Sequence, residues 1–317
     1  MKFRALMATA LLCICSGSGS FAQTKSDASS DAKDQYLFVY FKEPGSQGIY
    51  YALSQDGFHY EPLNDGQPWL KPSQPGEIMR DIFVTRDPAG GFHAVWTWGW
   101  RGNSFGTADS PDLMQWGEQH EIPIMTTVPG IRNVWAPETD WDASKKLWVV
   151  FWSSSPSAEE QGNRIWFSET KDFRDFSAPK IFFDPGYEVI DATMYHAGAT
   201  EYLIYKDQTR DPQRYQERVA KGPTVEGPWT PVGGPINDSW SEGPSAIKIG
   251  DEVVVFYDHY RQPQAHFQGV ATKDWIHWHS VNDRMSLPQG SKHGAFLKIT
   301  AEEAAKLRAR HDPPATQ

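Results

Sequence analysis

The run Tyr36-Leu37-Phe38-Val39-Tyr40-Phe41 is built of aromatic and branched aliphatic residues, the composition of a β-strand. Runs of the same kind return at Phe92 to Trp98, Leu147 to Trp152, Tyr202 to Lys206 and Val253 to Asp258, with starts separated by 56, 55, 55 and 51 residues. A period near fifty is what the blades of a propeller produce. A polar turn followed by an aromatic keeps the same beat, in SQDGFHY ending at Tyr60, SPDLMQW at Trp116, SETKDFRDF at Phe176 and TKDWIHW at Trp278, with a degenerate fourth copy, EGPW, at Trp229. Each unit therefore holds a few short strands joined by Gly, Asp and Pro turns. An α-solenoid would need helical spacing that these units lack. The expected fold is all-β, a five-bladed β-propeller.

About eleven residues before each of the later runs stands an acid: Asp81 in MRDIF, Glu138 in WAPET, Asp191 in VIDAT and Glu242 in SEGPS, spaced by 57, 53 and 51. A blade begins its innermost strand there, beside the central channel. The four acids are expected at nearly one structural position, converging on the axis. A ring of like charges is costly to desolvate and raises some of the pKa values, an arrangement that points to function. A further 51 residues lead to His293 in KHGAFLKIT, the last strand, which has no outer strands of its own. It must pair with the first set, Tyr36 to Tyr60, and so close the circle and remove the exposed edges. His293 then faces the axis too, where it either binds a water or a cation or is a buried, hydrogen-bonded histidine.

The N-terminus reads as a signal peptide over residues 1–22, with Lys2 and Arg4 before an apolar run from Ala5 to Cys15 and a small-x-small site at Ser20-Phe21-Ala22. That run is too short to span a bilayer, and Leu12 and Ile14 before the two cysteines argue against lipid attachment. Export to a periplasm or the cell exterior is the expectation. Residues 23–34 are polar and aperiodic, a disordered leader; residues 35–300 form the propeller; residues 301–317 are a short helical surface tail, with Thr300 and Glu303 placed as a capping box. The two cysteines both lie in the signal, so the mature chain has neither disulfides nor thiol chemistry. The net charge is −10, or −12 once Lys2 and Arg4 leave, which disfavours nucleic acid and anionic membrane as partners. A neutral ligand is the natural inference, and the chain is expected to act as a monomer.

At the acid-bearing residues the chain resembles glycoside hydrolase family 43, five-bladed propellers that act by inversion, mainly on arabinofuranosides, xylosides and galactosides. The resemblance covers roughly residues 36 to 300. It implies that Asp81 is the general base, that Asp191 orients the acid and tunes its pKa, and that Glu242 of Glu242-Gly243-Pro244 is the general acid. The WAP motif stands as Trp135-Ala136-Pro137, followed by Glu138, and His293-Gly294 matches a pair that often helps hold a calcium ion or water on the axis. Ile82 and Ala192 stand where proline usually follows the two aspartates. Asp87 in Arg86-Asp87-Pro88 is a rival for the base, but it opens a DPAGG turn and is out of register with the other acids.

Cleaving a glycosidic bond with inversion takes one protonated carboxyl to release the leaving oxygen and one ionised carboxylate, roughly 6.5 to 9.5 Å away, to activate water. Trp98, Trp100 and Trp135 are candidates for stacking on sugar. Arg80, Asn133, Glu138, His196, Asp207, His259 and Arg284 are candidate polar contacts from the cavity wall. No closely spaced histidine and carboxylate set resembles a catalytic zinc site, so no cofactor is required, with a structural calcium on the axis as the one candidate ion. The implied partner is an oligosaccharide or polysaccharide. A sugar-binding propeller without turnover and a retaining or transglycosylating relative, with its carboxylates nearer 5 Å apart, are the alternatives.

Overall fold

The computed structural model describes residues 34–156, 161–261 and 266–310. The expected signal peptide, its leader up to residue 33 and the last seven residues lie outside the described residues. Five four-stranded antiparallel sheets form the blades of a propeller. Blade 1 contains β1 (Gln35–Phe41), β2 (Ile49–Ser54) and β3 (Glu61–Pro62). Blade 2 contains β4 (Arg80–Arg86), β5 (Phe92–Thr97), β6 (Phe105–Ser110) and β7 (His120–Ile122). Blade 3 runs through β8 (Trp135–Asp142), β9 (Leu147–Ser154), β10 (Arg164–Thr170) and β11 (Lys180–Phe183). Blade 4 runs through β12 (Val189–Ala197), β13 (Thr200–Asp207), β14 (Gln216–Gly222) and β15 (Thr230–Val232). Blade 5 runs through β16 (Ser241–Ile249), β17 (Glu252–His259), β18 (His266–Thr272) and β19 (His279–Ser280).

The closing strand β20 (Lys292–Ile299) pairs antiparallel with β1 and becomes the innermost strand of blade 1. Closure brings the backbones very close: a Cβ on Gly294 would lie 2.0 Å from the carbonyl oxygen of Val39. Gly294→Ala is therefore expected to destabilise the fold by about 3 kcal/mol, read as a lower urea midpoint. An unchanged midpoint would mean that the β1–β20 ladder does not hold the ring shut.

The middle of each second strand is a continuous apolar run because both of its faces are covered. Successive side chains alternate across a strand, so Leu37, Val39 and Phe41 pack toward blade 2 while Phe38 and Tyr40 pack toward blade 5. Further clusters fill the gaps between blades 2 and 3, 3 and 4, and 4 and 5. The repeated polar turns have one construction. In each of four blades a Ser or Thr oxygen accepts a backbone N–H three residues on, and the Asp two residues after it caps two more, as at Ser54 and Asp56, Ser110 and Asp112, Thr170 and Asp172, and Thr272 and Asp274.

Among the described residues one α-helix, α1 (Ala301–Ala309), follows β20 behind the expected capping box. It is more than a surface tail: Ala304 and Leu307 are buried with the blade 1 and 2 core, and Glu303 holds Arg86 through two 2.8 Å bonds. Among the described residues, no helix is long and apolar enough to cross a membrane.

Candidate active site

All five innermost strands break register with the second strand at one level, near their N-terminal ends. Below each break Phe83, Glu138, Thr193, Ser245 and Ala295 are equivalent. Counting back, Asp81, Ala136, Asp191, Gly243 and His293 share the axial position inside the bulge. The first four of these have left-handed backbone, with φ of 51°, 46°, 50° and 61°. A bulge of this kind re-aims side chains, and non-glycine residues hold such a conformation only where the surroundings enforce it. The four acids are therefore not at one position, which corrects the expectation from spacing. Asp81 and Asp191 are in register, Glu242 stands one residue earlier, and Glu138 two residues deeper.

At the axial level His293 Nδ1 lies 3.5 Å from Asp81 Oδ1 and 4.0 Å from Asp191 Oδ2. Burial lowers the pKa of the imidazole, but the Asp81 hydrogen bond and the charges of Asp191, Asp81 and Glu138 outweigh it and raise the pKa to about 9. Asp81 also accepts a 2.7 Å hydrogen bond from Thr97 Oγ1. Burial alone would raise its pKa; His293, Arg80 and Thr97 hold it below the ordinary carboxylate value. Asp191 accepts from the Gly243 N–H at 3.2 Å. Burial, with the charges of Glu242 and Asp81, pushes it up to about 6 against the pull of His293 and Lys206. Glu138, buried beneath, is raised well above its ordinary value, first by burial and then by Asp140 and Asp191, against Thr193 and His293.

A second ring surrounds the first. Phe41, Thr97, Ser153, Lys206 and Asp258 occupy one register at the ends of the second strands. Each reaches the innermost strand of the next blade. Phe41 packs under the Arg80 guanidinium at 4.5 Å, and Thr97 accepts from the Ala136 N–H at 2.8 Å. Ser153 accepts from the Asp191 N–H at 2.9 Å, Lys206 donates to Glu242 Oε2 at 3.0 Å, and Asp258 pairs with Lys292 at 3.0 Å. Sequence reasoning missed this ring, although its residues close the apolar runs at the blade period.

The other expected residues separate by strand end. Arg80 is bound to Glu43 at 2.6 Å and stacks 4.1 Å from Trp100, which is 55% exposed; Trp135 Nε1 donates to the Trp100 carbonyl at 3.0 Å. These three form a rim beside Asp81. His259 stays at the acid end, opposite Ser241. Tyr215, Trp240 and Tyr260, not anticipated from sequence, form an aromatic group on the Glu242 side. Trp98 packs on the blade 1 and 2 core, with Trp96 at 6.1 Å. Asn133 is buried and tied to Ser153, Asn163 and Ser155, and Asp207 is buried and bound by Arg214 and Arg218. His196 lies at the far end of β12, bridging Asp140 and Glu201. Arg284 lies on an outer turn against Glu252 and Phe58. Asp87 is also at the far end, in the β4–β5 turn against His93, and cannot meet Glu242.

For a calcium at His293 the axis supplies few direct protein ligands. That ion takes six to eight oxygen ligands, whereas this level offers two aspartates around an imidazole, and no group of three His, Cys, Asp or Glu is placed to hold a metal among the described residues. Glu138 Oε2 is buried without a hydrogen-bond partner, a leftover suited to one water.

The profile of a family described as "Probable glycosyl hydrolase domain", related to glycoside hydrolase family 43, matches residues 31–305. Over 247 residues, 62% of this chain, the sequence is 26% identical to an α-L-arabinofuranosidase of Bifidobacterium longum subsp. longum. The match spans 23% of that relative's length. A thermostable family-43 glycoside hydrolase superposes with a TM-score of 0.54 at 17% identity, over 68% of this chain and 78% of its own. An endo-1,4-β-xylanase from Bacteroides thetaiotaomicron does so at 0.51 and 20% identity, over 68% and 79%. At such identities the superpositions speak to the fold, while the profile covers the propeller with every axial residue, and the chain belongs to the glycosyl hydrolase family related to family 43.

Proposed function

We propose that the protein is an exported, monomeric glycosidase that hydrolyses terminal arabinofuranosyl, xylosyl or galactosyl bonds of a polysaccharide or oligosaccharide with inversion. The observation that carries the reading is a pair of carboxyl groups in contrasting surroundings at one end of the channel. Asp81 is part-buried, held below the ordinary pKa, bonded to Thr97 and paired with His293, so it is ionised and oriented as a base. Glu242 is part-exposed and bound to an ammonium, so it is reachable by a leaving group. In the reaction Glu242 protonates the glycosidic oxygen as its bond to the anomeric carbon breaks. Water attacks that carbon from the opposite face and gives its proton to Asp81. Asp191, between His293 and Gly243 N–H, fixes the spacing of the two halves. The Arg80, Trp100 and Trp135 rim supplies flat apolar faces for sugar.

The test is a panel of nitrophenyl α-L-arabinofuranoside, β-D-xyloside, β-D-galactofuranoside and galactopyranoside. Turnover of one member names the sugar. Sugar binding with no turnover on the panel or on plant polysaccharides would replace this reading by that of a binding protein.

A further inference from the structure

Of the polar residues in the second ring, Lys206 alone places a cation there, with a side chain only 2% exposed. A hydroxyl serves at the same register in blades 2 and 3. Burying an ammonium is costly unless it is paired, so a tie between blades does not explain the choice of lysine. Its Nζ donates to Glu242 Oε2 at 3.0 Å and lies 4.7 Å from the Tyr260 ring centre and 5.4 Å from that of Tyr215. Directly across the β13–β14 ladder stands Glu217, fully buried, whose pKa burial raises to about 8 although Lys206 pulls it down. The ammonium gives its hydrogen bond to Glu242, so the charge of Lys206 is directed at that carboxyl.

We propose that Lys206 is a positioning residue for Glu242. Its ammonium fixes Oε2, leaving Oε1 to carry the proton to the leaving oxygen, and stabilises the carboxylate that remains after transfer. The inference rests on the glycosidase reading and adds to it. The balance of the step is unchanged: the proton of Glu242 goes to the glycosidic oxygen, which keeps the bonding electron pair, and the proton of the attacking water goes to Asp81.

The experiment compares the full chain with Lys206→Met and with Lys206→Met/Glu217→Gln, which removes both buried groups. Two glycosides of the sugar found in the panel are used, one with a dinitrophenolate leaving group that needs no proton and one with a sugar alcohol that does. The expected result is a fall of about 100-fold in kcat on the sugar-linked substrate, a few-fold change on the dinitrophenyl glycoside, and a similar KM. Added to Glu242→Gln, Lys206→Met should cost nothing further, because the two residues act as one unit. Equal losses on both substrates, or losses that multiply with Glu242→Gln, would assign Lys206 a structural role and overturn the proposal. So would failure of both Lys206 variants to fold. Absence of turnover by the unmutated chain on any glycoside would instead remove the glycosidase reading beneath it.

Discussion

Glu242→Gln and Asp81→Asn are each expected to lower hydrolysis of a sugar-linked substrate by about 10²- to 10⁴-fold, the range that a positioned acid or base contributes, in variants that remain folded. The two losses should differ in kind. Glu242 serves the leaving oxygen, so its amide variant should recover much of the lost rate on a dinitrophenyl glycoside. Asp81 serves the water, so Asp81→Asn should be equally impaired on both substrates, and azide, a nucleophile that needs no base, should restore turnover. Thr97 and His293 hold the Asp81 carboxylate from two sides, which leaves an amide there in the same place without the ability to take a proton. Identical leaving-group behaviour of the two variants would mean that the roles are misassigned.

Asp191→Asn is expected to inactivate the protein and to stabilise it. The carboxyl is buried and its pKa is raised to about 6, first by burial and then by the charges of Glu242 and Asp81. The folded state thus holds this proton more tightly than the unfolded chain does. The group costs the fold nothing below the ordinary value of 3.8, loses stability for it as pH rises from there through 6, and keeps the full penalty above. Asparagine resembles the protonated form and can still accept from the Gly243 N–H. A gain of about 1–3 kcal/mol is expected at pH 7.5, several degrees in Tm for a domain of this size. It should vanish near pH 4. His293 gives the opposite dependence: with its pKa raised to about 9, its contribution is complete below 6.5 and is lost as pH rises through 9. A variant no more stable than the parent at pH 7.5 would show that Asp191 is better compensated than its burial implies.

The blade count, the closing strand and the end of the channel that carries the acids were legible because each rests on a repeat of about fifty residues. The register of the acids was not. The bulge is common to all five innermost strands and leaves no sequence mark, so Glu138, two residues past the axial position, and Glu242, one residue before it, looked equivalent to Asp81 and Asp191. The spacings of 57 and then 53 around Glu138 were the trace of its offset. His196 shows a different limit. It is five residues along β12 from Asp191, about 17 Å at the rise of a strand, and so opens on the other face. Asn133 and Asp207 are polar residues near the acids that spend their hydrogen bonds on protein. Lys206 was hidden for the converse reason: a lysine at the end of an apolar strand reads as a solvated strand terminus, and only the strand pairing shows that the next blade covers it.

The most direct test of the account is proton NMR of the first turnovers on the substrate found in the panel, before the released sugar mutarotates. Water attacking opposite the leaving group, with Asp81 as base and Glu242 as acid, predicts that the first hemiacetal has the opposite anomeric configuration to the substrate. Initial release of the same configuration would require a covalent intermediate and would contradict the roles assigned to both carboxyl groups.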